Sequence, residues 1–185
     1  MSFPESYKHA LLKTIETIDL KQVEHAIEWF QEARAAGRQI FVCGNGGSAA
    51  TASHFVTDMV KGASYDRPVR FRILALTDSM STVSAYANDV DFESVFVEQL
   101  KNFAQPGDLV MGISGSGNSP NVLRAVEYAN SIGCRTLGLT GRDGGKLGRL
   151  VQQNIQVAEP HMGRIEDAHM IACHMIAYYF MEDAA

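Results

Sequence analysis

Five short apolar runs, separated by helix-compatible segments, are the feature that most limits the folds open to this chain. The runs are QIFVC (39–43), RILAL (72–76), DLVMGI (108–113), RTLGLT (135–140) and NIQVA (154–158). Strands that alternate with helices predict parallel pairing, because a parallel neighbour is reached only through a crossover connection. The pattern therefore predicts an α/β fold, a doubly wound, five-stranded parallel sheet flanked by helices. Ligands of such sheets bind at the carboxyl ends of the strands.

Helical periodicity accounts for the rest of the chain. Apolar residues recur at three- and four-residue spacing over 5–36, which predicts an N-terminal extension of two helices, the second capped by Asp19 and stopped by Gly37. A last helix of about twenty residues is expected from Arg164. No linker-like stretch divides the 185 residues, so we expect one domain, 1–185. Further helices are expected near 49–62, 79–87, 91–103, 119–132 and 146–150.

Composition narrows the functional classes. The net charge of −5 argues against a nucleic-acid-binding surface as the main function. Cys43, Cys134 and Cys173 lie far apart in apolar segments, which is typical of reduced thiols in the cytoplasm. The N-terminus lacks a signal-like apolar core, and no run approaches the ~20 apolar residues that span a bilayer. We therefore expect a cytoplasmic protein with neither nucleic acid nor a membrane as partner.

A glycine-rich loop, GNGGSA (44–49), follows the first predicted strand. It matches G-x-G-x-x-A, which alone is a weak indication of a dinucleotide site. A dinucleotide-dependent oxidoreductase would also use an acidic residue after the second strand, where Asp78 stands. No lysine occupies the position that a Walker-type nucleotide loop requires. A plain strand-to-helix turn is the simplest alternative.

A second loop, SGSGNS (114–119), favours a different ligand. Ser114, Ser116 and Ser119 offer three hydroxyl groups, and the intervening glycines let backbone N–H groups approach an anion at the start of the next helix. Ser119 is predicted to cap that helix, with Pro120 in its first turn. One dinucleotide site does not need two such loops, whereas a phosphorylated sugar can use one for its phosphate and one for its hydroxyls. A serine-rich helix cap remains the structural alternative.

Two histidines and two carboxylates form a further set. His54 and Asp58 are four residues apart and share a helix face, and Glu166 and His174 are separated by about 80° around the last helix. Imidazole and carboxylate groups suit zinc or iron, and they also suit proton transfer. A surface ion pair is the alternative for His54 and Asp58. His169 is predicted to be a structural or interface residue.

Taken together, these segments resemble the sugar isomerase (SIS) fold, and in particular its phosphoheptose isomerase branch. The matching segments are GNGGSA with a later His, AND (87–89), SGSGNS, LTGRDGG (139–145) and RIEDAH with a later His. The resemblance implies a flavodoxin-like sheet and an aldose–ketose isomerase that converts sedoheptulose 7-phosphate to D-glycero-D-manno-heptose 7-phosphate by an enediol route. That reaction begins the synthesis of bacterial heptose for lipopolysaccharide. It also implies a homotetramer with sites between subunits and residues 1–37 packed in the oligomer.

Carried over by position, the resemblance assigns roles to individual residues. Zinc would be held by His54, Asp58, Glu166 and His174, of which Asp58, Glu166 and His174 would also be catalytic. The substrate would be bound by Asn45, Gly46, Gly47, Ser48, Asn88, Asp89, Ser114, Gly115, Ser116 and Ser119.

The chain departs from the family pattern at four positions. One is in the serine loop, where the family has Ser-Thr-Ser and this chain has Ser114-Gly115-Ser116. The family usually has glutamate at position 58, glutamine at 166 and aspartate at 163, where this chain has Asp58, Glu166 and Gly163. These exchanges lead to the hypothesis that Glu166 is the base and Asp58 mainly a ligand. They also leave open an isomerase or a sensor for another sugar phosphate. A non-catalytic, protein-binding relative is disfavoured, because both site histidines are present.

Overall fold

The computed structural model describes residues 1–183 and contains five strands in one sheet. The strands are β1 (Gln39–Gly44), β2 (Arg72–Ala75), β3 (Leu109–Ser114), β4 (Arg135–Gly141) and β5 (Gln153–Val157). All neighbouring pairs are parallel, in the order β2–β1–β3–β4–β5. The predicted doubly wound sheet is thereby confirmed. The strand order reverses between β1 and β3, so their carboxyl ends form the crevice where such sheets bind ligands.

Eight α-helices surround the sheet in the described part of the chain. They are α1 (Phe3–Ile15), α2 (Leu20–Ala35), α3 (Gly47–Thr57), α4 (Met80–Asp89), α5 (Val97–Phe103), α6 (Pro120–Ser131), α7 (Gly145–Leu150) and α8 (Met162–Tyr178). The side chain of Asp19 accepts a hydrogen bond from the Lys21 N–H at 3.0 Å, so the predicted cap of α2 is confirmed. The predicted N-terminal pair and long last helix are also present. The predicted domain, 1–185, includes residues 184 and 185, which lie outside the described residues.

Two predicted helices are interrupted. The helix expected over 49–62 ends as α3 at Thr57 and continues as a π-helical turn, Asp58–Gly62. The helix expected over 91–103 is a 3₁₀ turn, Phe92–Ser94, followed by α5. Asp91 caps the start of that 3₁₀ turn, because its carboxylate accepts from the Ser94 N–H at 2.7 Å. Apolar periodicity did not reveal either interruption.

The sheet separates two apolar layers. Ile40 and Val42 of β1 face the layer of α2, α3 and α8, whereas Phe41 and Cys43 face the layer of α5 and α6. Each residue of β3 is buried. Because helices cover both faces of the sheet, successive residues of a strand are all buried, and the strands appear in the sequence as continuous apolar runs. Helix α4 differs, because none of its residues is buried.

The three cysteines are buried and unbonded in this fold. Burial raises the pKa of Cys43 to about 12 and that of Cys134 to about 11. Their thiols are therefore protonated core groups near neutral pH. Among the described residues, no helix combines the length and the apolar character that crossing a membrane demands.

Candidate active site

A cavity of about 260 Å³ lies at the carboxyl ends of β1 and β3. The fold thus joins the two glycine and serine loops at the point where the strand order reverses. Eight of the ten residues predicted to bind substrate line this cavity. The full lining is Asn45, Gly46, Gly47, Ser48, Ile113, Ser114, Gly115, Ser116, Ser119, Met162 and Glu166.

Three serine hydroxyls converge at the start of α6. Ser114 Oγ lies 3.0 Å from Ser119 Oγ and 3.4 Å from Ser116 Oγ. Ser119 occupies the predicted N-cap position and Pro120 follows it in the first turn, but the Ser119 hydroxyl makes no capping hydrogen bond. That hydroxyl is instead directed to Ser114. Hydroxyl and backbone donors at a helix N-terminus are a suitable setting for a phosphate group, and none of the lining residues is Lys or Arg.

The first glycine loop is shaped to admit a carboxylate from α8. Gly46 has φ +53°, a left-handed conformation that glycine adopts without strain. A Cβ atom at Gly47 would overlap the carboxylate of Glu166. Glycine at position 47 therefore leaves the space that Glu166 occupies. The Glu166 carboxylate lines the cavity between the two loops.

His54, Asp58 and His174 form a compact group with the geometry of a metal centre. Asp58 Oδ2 lies 3.4 Å from His54 Nε2 and 3.6 Å from His174 Nε2, and the two Nε2 atoms are 3.3 Å apart. Ligand atoms about 2.0 Å from a tetrahedral zinc ion are themselves ~3.3 Å apart. Asp58 Oδ2 is also buried and has no hydrogen-bond partner among the described residues. A divalent cation would satisfy that oxygen, so these three residues can hold a metal ion.

Glu166 is separate from this group. Helices α3 and α8 pack side by side, with Glu166 against Gly47 at one end and His174 against His54 further along. Gly47 and His54 are seven positions apart along α3, a rise of about 10 Å. The ligand atoms of His54, Asp58 and His174 lie within 4.8 Å of one another. Among the described residues, Glu166 does not belong to this cluster. Its predicted role as a ligand stays a prediction.

Asn88 and Asp89 lie outside the cavity lining. They form the exposed C-terminal end of α4, where Asn88 Nδ2 donates to Asp89 Oδ1 at 2.7 Å. The structure thus does not bring them together with the two loops within one chain. Asp78, the residue that a dinucleotide site would use, accepts a hydrogen bond from the Ser53 hydroxyl of α3.

His169 is a core residue rather than part of either centre. It is 1% exposed, and neither ring nitrogen has a hydrogen-bond partner among the described residues. Burial lowers its pKa to about 4, an effect that the Thr140 backbone partly opposes. A neutral imidazole in the core agrees with the structural role predicted for it.

The third loop supports the serine loop from behind. The Leu147 N–H donates to the Gly117 carbonyl at 2.8 Å, and the Lys146 N–H donates to Asn118 Oδ1 at 3.2 Å. These two donors directly follow LTGRDGG, and Gly144 and Gly145 at its end pack against the backbone of Ser116 and Gly117. The end of the loop and the start of α7 thus support the serine loop, and no residue of LTGRDGG lines the cavity.

Sequence reasoning missed Asn121, which lies in the first turn of α6 behind the cavity. It is 1% exposed and exchanges two hydrogen bonds with Asn45. The only signal for it was a polar residue after Ser119-Pro120, in a helix turn that the fold buries.

Comparison with known proteins identifies the family of this chain. Residues 5–141 match the SIS domain family. The phosphoheptose isomerase of Desulfovibrio desulfuricans is 44% identical over 155 residues, covering 82% of this chain and 73% of that protein. A probable phosphoheptose isomerase of Thermoplasma volcanium is 39% identical over 170 residues, covering 92% and 86%.

A solved structure extends the likeness to three dimensions. The phosphoheptose isomerase of Neisseria gonorrhoeae superposes with a TM-score of 0.89 at 30% identity, over 98% of this chain and 97% of that one. The likeness thus extends beyond residue 141, where the match to the domain family ends, and includes β5 and α8. The chain therefore belongs to the SIS domain family and, within it, to the phosphoheptose isomerases.

Proposed function

We propose that this protein is an aldose–ketose isomerase that converts sedoheptulose 7-phosphate to D-glycero-D-manno-heptose 7-phosphate. One observation carries the proposal: a phosphate-type serine loop and an unpaired carboxylate, that of Glu166, line the same cavity. Family membership supports the substrate class. The reaction would supply heptose synthesis, with lipopolysaccharide as the expected destination and the cytoplasm as the expected compartment.

The serine loop would anchor the substrate phosphate. Ser114, Ser116 and Ser119 would donate their hydroxyls, and the first backbone N–H groups of α6 would complete the cradle. Neutral donors hold the dianion without a fixed positive charge. Asn45 and the backbone of Gly46 and Gly47 would bind the sugar hydroxyls on the opposite side of the cavity.

The two carboxylates, of Asp58 and Glu166, are assigned different roles. Asp58 directs its buried Oδ2 at both imidazoles, so we assign it as a metal ligand together with His54 and His174. Glu166 has no hydrogen-bond partner within residues 1–183, and along α8 it lies between Met162 of the cavity and His174. A sugar anchored at the serine loop and extending toward the imidazoles passes Glu166. We therefore assign Glu166 as the general base.

The proton transfers follow from these positions. Glu166 removes a proton from the carbon next to the carbonyl carbon, and the electron pair of that C–H bond forms the enediol double bond. Glu166 then returns the proton to the former carbonyl carbon, while a proton moves between the two substrate oxygens at His174. A zinc or other divalent ion, when bound, supplies a Lewis acid that polarises the carbonyl oxygen.

The site is proposed to be completed in a homotetramer. Asn88 and Asp89 are exposed on α4, a helix with no buried residue. The side chains of His54 and His174 are 51% and 41% exposed. The exposure of α4 and of the two histidines is expected if each site faces a neighbouring subunit. Asn88 and Asp89 of one subunit would then reach the cavity of the next.

Proton NMR of sedoheptulose 7-phosphate with the purified, metal-analysed protein in D₂O tests the function. We expect new aldose signals with deuterium at the carbon next to the carbonyl. Glu166→Gln should lower the rate about 10²- to 10⁴-fold, the usual contribution of a general base. The matched control is Glu127→Gln, at an exposed position of α6, which should keep the wild-type rate.

Two outcomes would contradict the proposal. Absence of product and of exchange with metal bound would assign the cavity to another sugar phosphate or to binding alone. Wild-type exchange in Glu166→Gln would remove Glu166 as the base and leave Asp58 as the candidate.

A further inference from the structure

Asn121 connects the two loops that form the cavity. Its side chain is buried in the first turn of α6, and its partner Asn45 lies in the first glycine loop. Asn45 Nδ2 donates to Asn121 Oδ1 at 2.8 Å, and Asn121 Nδ2 donates to Asn45 Oδ1 at 2.9 Å. This reciprocal pair joins the end of β1 to the start of α6.

The backbone of Val122 determines the orientation of both amides. The Val122 N–H donates to Asn121 Oδ1 at 3.0 Å. Since an N–H group requires an acceptor there, the side-chain atom of Asn121 at that place must be its oxygen. That oxygen faces Asn45, so Asn45 must present Nδ2 to it. The pair therefore has one hydrogen-bonding arrangement rather than two equivalent ones.

Asn45 retains donor capacity after this pairing. An amide nitrogen carries two N–H groups, and the pair uses one of them. Asn45 also lines the cavity. Its second N–H is thus free to donate to an acceptor oxygen of a bound molecule, provided that the amide does not rotate.

We propose that Asn121 is a positioning residue for substrate recognition. It holds the Asn45 amide so that an N–H, rather than the carbonyl oxygen, is offered to an acceptor oxygen of the sugar phosphate. A rotated Asn45 amide would offer an oxygen to that acceptor, which repels it. The inference rests on the proposed function, because it requires an oxygen-rich substrate in this cavity.

The kinetic test compares two leucine substitutions on α6. Asn121→Leu should lower kcat/KM for sedoheptulose 7-phosphate by about 10- to 100-fold, the range expected when a hydrogen bond to a charged or polar substrate group is lost. The control is Asn130→Leu, which removes hydrogen bonds to the Leu150 carbonyl (3.0 Å) and from the Thr136 hydroxyl (2.8 Å) at the other end of the helix. Asn130→Leu should destabilise the fold comparably and leave kcat/KM within about twofold of wild type.

A double-mutant cycle separates positioning from general support. If Asn121 acts through Asn45, adding Asn121→Leu to Asn45→Ala should lower kcat/KM less than about twofold further. A full additional loss in the Asn45→Ala background would overturn the proposal, because Asn121 would then act without Asn45.

Side-chain amide exchange tests the pair without any turnover. In the wild type, the one Nδ2 proton of Asn45 and the one of Asn121 that form the pair should exchange slowly with solvent, and Asn121→Leu should speed the exchange of the paired Asn45 proton by about tenfold or more. Unchanged exchange at Asn45 would overturn the proposal. If the wild type fails to convert sedoheptulose 7-phosphate, the proposed substrate fails, and the exchange result alone then decides whether Asn121 orients Asn45.

Discussion

Asp58 stands where α3 gives way to a π-helical turn, four residues after His54, and its carboxylate faces two imidazoles. Single π-helical turns are frequent at functional sites because they shift side chains relative to the preceding helix. Asp58 Oδ2 faces His54 and His174 at 3.4 and 3.6 Å. An aspartate at this position is thus long enough to reach both imidazoles and to complete a group that could hold a metal ion.

Asp58→Asn is expected to weaken metal binding, because an amide oxygen carries no negative charge. We expect the metal affinity to fall by at least about 10- to 100-fold, the loss usual when the support of a ligand is disturbed. Metal analysis after dialysis against a competing chelator measures the change. Glu166→Gln is the matched control and should retain the metal. Equal loss in both variants would make Glu166 a ligand and contradict the division of roles.

His169 should make the fold sensitive to mild acid. Its pKa in the folded chain is about 4, below the ordinary 6.5, because the ring is buried. The unfolded state therefore binds the proton at higher pH, and the stability that His169 contributes is complete above pH 6.5 and is lost as the pH falls toward 4. Between pH 7 and pH 5 the loss is roughly 2 kcal/mol.

Urea unfolding of His169→Met and wild type at both pH values tests this expectation. The change in unfolding free energy between pH 7 and pH 5 should be roughly 2 kcal/mol smaller in His169→Met. His9→Met, at an exposed position of α1, should behave like wild type. An unchanged pH dependence in His169→Met would show that the ring is solvated or paired in solution.

At the scale of elements, α1 is held to α8 close to the cavity. Tyr7 Oη donates to Asp167 Oδ2 at 2.6 Å, and Asp167 directly follows Glu166. The same hydrogen bond raises the pKa of Tyr7. A second contact is made by Thr14, whose hydroxyl donates to Glu159 Oε2 at 2.6 Å. The N-terminal helix thereby supports the segment that carries the proposed base.

Tyr7→Phe should loosen this attachment. Loss of one hydrogen bond to a carboxylate is expected to lower the unfolding free energy by roughly 1 to 2 kcal/mol. Denaturant unfolding of the variant measures it. Tyr65→Phe is a suitable control, because Tyr65 is 72% exposed. Equal stabilities of the two variants would mean that α1 is held by apolar packing alone.

At the scale of the whole molecule, several large apolar side chains are left in solvent by the single chain. Phe3 is 77% exposed and Met80 is 73% exposed, and Leu12 and Leu20 of the N-terminal helices are also exposed. Exposed apolar groups of this size mark surfaces that associate. Residues 1–37 and α4 are accordingly the surfaces proposed to pack in the tetramer.

Light scattering coupled to gel filtration tests the assembly. We expect a mass close to four times the 20.2 kDa of one chain. Leu12→Glu combined with Leu20→Glu should lower the mass, because buried charges at an interface are costly. Asp19→Ala is a control for the helix itself, since it removes only the cap of α2. A wild-type mass of one chain would contradict the tetramer and the completion of the site by a neighbour.

Much of the fold was predictable because its causes are local. Apolar runs and helical spacing indicated the five strands, the N-terminal helix pair and the long last helix. The composition of the two loops indicated a phosphate site, and the four-residue spacing of His54 and Asp58 placed both on one helix face.

Other features of the site were decided by tertiary structure alone, because they join residues far apart in the chain. Asn45 and Asn121 pair across 76 positions, and His54 meets His174 across 120. The Ser119 hydroxyl turns from its helix to Ser114. Glu166 lines the cavity and does not belong to the cluster of His54, Asp58 and His174. Local pattern specifies which element a residue joins, whereas the packing of elements determines which side chains converge.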